Sequence, residues 1–153
     1  MIYALFVINN HGITRLSRFY QSIEYSKKRT LERDIYGLIS KRPIAACNFI
    51  ENTGIWGDDK NLKIIYRTYA TLTFVLVSDQ AENELAMLDL IQNYVECLDD
   101  AFQNVCELHL IFQHEKCFQI LDEIISGGLI LETRSSDVLP HVAAMERLDR
   151  ASR

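Results

Sequence analysis

Ile2-Tyr3-Ala4-Leu5-Phe6-Val7-Ile8-Asn9, followed by Asn10-His11-Gly12 and then Ile13-Thr14-Arg15-Leu16-Ser17-Arg18-Phe19-Tyr20, is the stretch that decides the fold. Its first part is nearly all apolar, the signature of a central strand buried on both faces. Asn10, His11 and Gly12 supply turn chemistry, so Ile13–Tyr20 returns as a second strand antiparallel to the first. Arg15 and Arg18 alternate there with Leu16 and Phe19, which makes this second strand half exposed.

Outward from this hairpin, Leu31, Ile35, Leu38 and Ile39 fall at helical spacing, with Lys27, Lys28, Arg29, Glu32 and Arg33 on the other side. Pro43 ends that helix. A short strand over Ala46–Glu51 comes next, then a loop with Gly54, Trp56, Gly57, Asp58 and Asp59. Leu62–Thr68 and Ala70–Val77 are rich in aromatic and β-branched residues and read as strands joined by a tight hairpin. Asp79-x-x-Glu82 resembles a helix-start signal. Beyond Cys106 the chain reads as one helix capped by Gly127-Gly128, and a last helix starts near Ser135 or Ser136 with Pro140 in its first turn. The order β-β-α-β-β-β-α-α-α places the chain in the α+β class, a mostly antiparallel sheet with helices on its faces.

The helix over Leu85–Phe102 carries two apolar stripes. Leu85, Leu88, Ile91, Val95, Leu98 and Phe102 form one; Met87, Leu90, Tyr94, Cys97 and Ala101 form the other. Together they cover about half the circumference, more than one sheet can bury. The surplus requires a cover, either another helix or another chain.

The 153 residues suit one domain, and 48% hydrophobic with 24% charged is a globular composition. No apolar run reaches the ~18 residues of a membrane span, and Ile2–Ile8 lacks the flanks of a signal peptide. The cytosol is the expected compartment, where Cys47, Cys97, Cys106 and Cys117 stay reduced. Net charge is −5, divided as +5 over residues 1–67 and −10 over residues 68–153. The basic half suits an acidic peptide, an anionic head group or nucleic acid, or is simply a solvated face.

Motifs for catalysis are absent: no phosphate-binding glycine loop, no nucleophile elbow and no H-E-x-x-H. Cys106-x-x-His109 and His114-x-x-Cys117 imitate zinc spacing, yet on one helix Cys106 and Cys117 lie ~16 Å apart, whereas zinc ligands sit ~2.0–2.3 Å from one point. Asp99-Asp100 and Asp122-Glu123 are sequence neighbours on a helix and do not converge on one substrate atom. No enzyme, metal or cofactor is expected.

Asn9-Asn10-His11-Gly12 with Thr14-Arg15-Leu16, the run Lys63-Ile64-Ile65-Tyr66-Arg67-Thr68-Tyr69-Ala70, Asn104-Val105-Cys106-Glu107-Leu108, and Gly127-Gly128 with Leu131-Glu132-Thr133 resemble the sigma (small) subunits of heterotetrameric clathrin-type adaptor complexes. Ser40-Lys41-Arg42 before Cys47-Asn48-Phe49, together with the longer Gly54–Lys60 connection, is most similar to the sigma subunit of the third such complex. The resemblance implies a longin-like (SNARE-like) fold, a five-stranded antiparallel sheet flanked by helices with additional C-terminal helices, over a single domain at 1–148 with a short tail at 149–153.

It also implies a delta-type large subunit as direct partner, a beta-type large and a mu-type medium subunit completing the tetramer, and no nucleic acid. The implied role is recognition of acidic dileucine signals, [DE]-x-x-x-L-[LI], in cargo tails. The location would be cytoplasmic, peripheral on trans-Golgi and endosomal membranes and vesicles. Carried over by position, Arg15 faces the acidic residue of the signal, while Ala70, Leu72, Val95, Asn104, Val105, Leu108 and Leu110 line the leucine pockets. Thr73 stands where some relatives have an aromatic residue, and His109 where they have an acid. The alternative is another longin-type trafficking subunit, coatomer-zeta-like or a regulatory scaffold, with no signal site.

Overall fold

A computed structural model describes residues 1–43, 48–51, 62–130 and 135–151. The elements run β1 (Ile2–Asn9), β2 (Thr14–Phe19), α1 (Tyr25–Ser40), β3 (Phe49–Glu51), β4 (Lys63–Tyr69), β5 (Leu72–Ser78), α2 (Glu84–Phe102), α3 (Glu107–Phe112), α4 (His114–Ile124), β6 (Ile125–Ser126), β7 (Leu129–Ile130) and α5 (Ser135–Ala151). Two compact units divide the chain, Met1–Leu88 and Asp89–Arg153.

The first unit is built on a five-stranded sheet in the order β2-β1-β5-β4-β3, antiparallel throughout. The α+β class and antiparallel sheet expected from the sequence are what the chain forms. β1 pairs on one edge with β2 and on the other with β5. Residues directly opposite share a face, so Ala4, Phe6 and Ile8 lie with Val75, Val77, Ile64 and Tyr66, and Ile35 of α1 joins that buried cluster. Tyr36, Leu38 and Ile39 pack against it from the same helix. The opposite face carries Leu5, Val7, Leu16, Ile65, Phe74 and Leu76, which are buried as well.

The β1–β2 turn is held by Asn9, whose Oδ1 accepts the backbone N–H groups of His11 and Ile13, each at 2.9 Å. Gly12 follows at φ +84°, and a Cβ there would sit 2.7 Å from the Tyr36 ring. Lys63, buried at the start of β4, is neutralised by Glu84 Oε1 at 2.8 Å and donates to the Glu82 carbonyl at 3.1 Å.

Several boundaries differ from the sequence reading. Asp79 and Glu82 do not start α2: Asn83 does, its Oδ1 accepting from the N–H groups of Leu85 and Ala86. Asp79 instead accepts from Ala81 N–H and, with Glu82, meets the α-ammonium of Met1. The single helix expected after Cys106 is two, α3 and α4, broken at Gln113 (φ −126°, ψ 40°). Gly127 and Gly128 are not a helix cap. With φ of 56° and 88° they form the two-residue turn between β6 and β7, the conformation of a type I′ hairpin. Pro140 lies inside α5 rather than in its first turn. β3 begins at Phe49, while Ala46, Cys47, the Gly54–Lys60 loop with Trp56, and Leu131-Glu132-Thr133 lie outside the described residues.

In the second unit α4 packs along α5, with Lys116–Glu146 (3.8 Å) and Glu123–His141 (3.3 Å) pairs between them. The apolar arc of α2 finds its cover within the chain. Leu90, Tyr94 and Cys97 of the second stripe are buried, and the Tyr94 hydroxyl donates to the Cys117 carbonyl of α4 at 2.9 Å. Of the two covers the periodicity allowed, another chain is not needed for this stripe: it is buried within its own, and α4 meets it at Tyr94. Leu85, counted in the first stripe, is 72% exposed.

Two predictions follow from these contacts. Gly12→Ala should destabilise the chain by about 1–3 kcal/mol, from its left-handed backbone and the Tyr36 ring. Gly37→Ala, inside α1 with nothing within 4 Å of the added carbon, should stabilise it by about 0.5–1 kcal/mol; urea unfolding of the two variants reads the opposite signs. Burial pushes the thiols of Cys97 and Cys117 up to about 11 and about 12, whereas Cys106 is exposed. Peptide mapping after brief maleimide labelling at about pH 8 should therefore find Cys106 modified and Cys97 and Cys117 intact.

Candidate functional site

Arg15 sits at an irregularity of the sheet. Val7 pairs with Leu16 and Ile8 with Thr14, so Arg15 is the extra residue of a β-bulge. Bulges bend a strand and re-aim a side chain. On either side of it, Thr14 and Ser17 make hydrogen bonds to the Glu32 carboxylate of α1. Burial raises the Glu32 carboxyl above its usual range, opposed by these hydroxyls and by Arg29 and Lys28.

Ala70 lies in the β4–β5 turn and Leu72 opens β5. Tyr69 pairs with Leu72 across a two-residue turn, and Ala70, its first member, has φ 53°. Glycine is the usual occupant of such a position. Leu72 is buried opposite Asn9, and Ile8 pairs with both Thr14 and Thr73. Arg15, Leu72 and Ala70 therefore occupy one end of the sheet, with β2 and β5 about 10 Å apart across β1. Thr73 Oγ1 lies 3.0 Å from Thr68 Oγ1.

The remaining residues lie in the second unit. Val95 is buried on α2. The helix ends about two turns later in a left-handed pair, Gln103 (φ 54°) and Asn104 (φ 82°). Asn104 N–H donates to the Asp99 carbonyl at 3.2 Å, the six-to-one bond of a Schellman motif with Gln103 where glycine is customary. Val105 N–H donates to the Asp99 carboxylate at 2.9 Å. Leu110 is buried, Val105 is half-buried, and Leu108 is 60% exposed. Leu108 is thus the one large apolar side chain of the set that is exposed.

Sequence reasoning missed Asp99, Phe102 and Lys116. The Phe102 ring stacks on His109 at 4.7 Å between centroids with a 10° interplanar angle, and Lys116 Nζ lies 5.6 Å from the Phe102 centroid. The one signal available was a helix ending in Asp99-Asp100-Ala101-Phe102-Gln103-Asn104 without glycine, where asparagine tolerates the left-handed region. His109 and His114 point to different neighbours, the latter edge-on to Phe118 at 6.4 Å. Among the described residues no three His, Cys, Asp or Glu side chains are grouped to hold a metal, and no helix is long and apolar enough to cross a membrane.

Comparison with known proteins places this arrangement. The sequence model of the family described as "Clathrin adaptor complex small chain" matches residues 1–149. The chain is 48% identical to the AP-3 complex subunit sigma of Schizosaccharomyces pombe, covering 100% of this chain and 90% of that protein. It is 44% identical to the AP-3 complex subunit sigma-2 of Homo sapiens, covering 99% and 78%, and 45% identical to the AP-3 complex subunit sigma of Arabidopsis thaliana, covering 99% and 90%. A chain from a structure described as a homology model of the full-length AP-3 complex in a stretched open conformation is similar with a TM-score of 0.76 and 32% identity, over 99% of this chain and 97% of that one. The chain belongs to the clathrin adaptor complex small chain family, a family of adaptor subunits and not of enzymes, and along its whole length it is most like the sigma subunits of the AP-3 complex.

Proposed function

We propose that this chain recognises acidic dileucine signals, [DE]-x-x-x-L-[LI], in the cytosolic tails of membrane cargo, as the small subunit of a vesicle adaptor complex. Its recognition residues are Arg15, Ala70 and Leu72 of the first unit and Val95, Asn104, Val105, Leu108 and Leu110 of the second. Its direct partner is a delta-type large subunit, with a beta-type large and a mu-type medium subunit completing the tetramer. The complex works on the cytoplasmic side of trans-Golgi and endosomal membranes and their vesicles.

The observation that carries this reading is where the backbone departs from regularity. Three non-glycine residues have positive φ among those described: Ala70, Gln103 and Asn104. Two of them are recognition residues and the third adjoins one. Arg15 stands on the β-bulge. Strained or re-aimed backbone persists where a site requires it. A coatomer-like or scaffolding subunit gives no reason for these irregularities to coincide with the signal-reading positions.

Magnitudes divide the labour. Burying one leucine side chain is worth roughly 1.5–3 kcal/mol, whereas an accessible arginine–carboxylate pair contributes ~0.2–1 kcal/mol. The leucines dominate affinity, and Arg15 sets preference for the acidic residue. Weak single contacts suit a coat that must release cargo, since several engaged at one membrane add avidity.

The test uses the assembled tetramer and fluorescent peptides differing only at the acidic position or at the leucines. Replacing both leucines by alanine should remove measurable binding. Arg15→Ser should weaken the acidic peptide about two- to fivefold and leave a glutamine-substituted peptide unchanged. Equal losses for the two peptides would remove Arg15 from the recognition role.

A further inference from the structure

The start of α3 is capped by an unusual side chain. Cys106 precedes the helix in an extended conformation (φ −137°, ψ 173°). Its backbone N–H donates to Nδ1 of His109 at 3.0 Å. His109 is the third residue of α3, the position from which a glutamate or glutamine ordinarily reaches back to the capping residue. Here an imidazole does so through its Nδ1 lone pair, which leaves the ring proton on Nε2.

The same ring is fixed from a second side. Its stack on Phe102 joins the beginning of α3 to the end of α2, while the backbone carbonyl of His109 accepts the Gln113 N–H at 2.9 Å and faces the Cys117 thiol at 4.0 Å. Between the two elements joined by the stack run Gln103 and Asn104, both left-handed. Consecutive left-handed non-glycine residues keep that conformation only where their surroundings over-determine it. Asp99 holds the first half of the segment through its carbonyl and carboxylate. His109 holds the second half.

We propose that His109 is the positioning residue of the Asn104–Leu110 segment: through the Cys106 N–H bond, for which the Phe102 stack orients the ring, it fixes the direction in which Val105 and Leu108 present themselves to a signal leucine. The presentation to a leucine rests on the dileucine reading; the capping does not. Around it, the Asp99 carboxylate accepts the Val105 N–H, Phe102 stacks on the imidazole and Lys116 Nζ approaches the Phe102 ring.

Three variants separate the contacts in the assembled complex. His109→Phe keeps an aromatic ring for the stack and loses the acceptor. His109→Gln restores an acceptor at the third helical position and loses the ring. His109→Ala loses both. Hydrogen exchange of the peptide spanning residues 105–111 and affinity for an acidic dileucine peptide are measured side by side. His109→Phe and His109→Ala should exchange faster and bind about fivefold more weakly, the change that loss of a helix cap gives. His109→Gln should stay within about twofold of the parent on both. A His109→Phe complex that exchanges and binds like the parent, or a His109→Gln complex as impaired as His109→Ala, overturns the positioning role. A parent complex that binds no dileucine peptide overturns the signal reading; the exchange series then supports or overturns the cap by itself.

Discussion

β1 has nowhere to meet water. Both its edges carry a paired strand, and its side chains from Ala4 to Ile8 are buried on alternate faces. A strand of that composition must find two hydrogen-bonding neighbours and two apolar covers at once, because an unpaired buried backbone group costs about as much as a lost hydrogen bond. The short Asn9–Ile13 turn supplies the first neighbour locally. The second, β5, arrives from more than sixty residues away, and with it come β4 and β3. Ile35, Tyr36, Leu38 and Ile39 of α1 close one face. The charged edge strand follows from the same demand: β2 shields β1, while Arg15 and Arg18 discourage any further strand from joining.

A sheet this firmly specified can hold irregular backbone at its ends. The bulge at Arg15 and the left-handed Ala70 both lie at the end of the sheet where β1 finishes, next to pairs such as Val7–Phe74 that do not yield. The Gln103–Asn104 turn uses the same device on a helix, its strain held by Asp99 and by the stacked Phe102 and His109 rings. Each of these three departures adjoins a regular strand or helix, which is the condition for placing a contact side chain reproducibly.

Legibility in the sequence followed the range of the physics involved. The buried strands and α1 were readable because their side-chain periods are local. Gly127-Gly128 was not, since two glycines suit a helix end and a tight hairpin equally, and strands as short as Ile125–Ser126 carry no alternation to choose between them. The break at Gln113 was hidden because neither proline nor glycine marks it, and apolar spacing runs through from Leu110 to Cys117. Asn83 lost to Asp79 as the expected helix start because a side chain that caps and one that turns the chain look alike until the hydrogen bonds are seen. At the site, only the family resemblance singled out Arg15, Ala70 and Asn104. His109 drew notice for a spurious metal spacing, because an acceptor at a helix start and a ring stacked on Phe102 leave no pattern in composition.

The broad apolar arc of α2 is where sequence and structure part most instructively. A helix with twice the usual apolar face can be a docking surface awaiting a partner or an interior element waiting for its own chain. Tyr94 decides between them, because a buried hydroxyl needs a partner and finds it in the Cys117 carbonyl of α4. Leu90 and Cys97 are sealed beside it, so contact with another subunit cannot be what this stripe is for. Tied to α4 through the Tyr94 hydroxyl, and ended by a turn that hydrogen bonds and stacking hold, α2 is the support from which the Asn104–Leu110 segment projects. Its excess of apolar surface is the means by which that support is buried within its own chain.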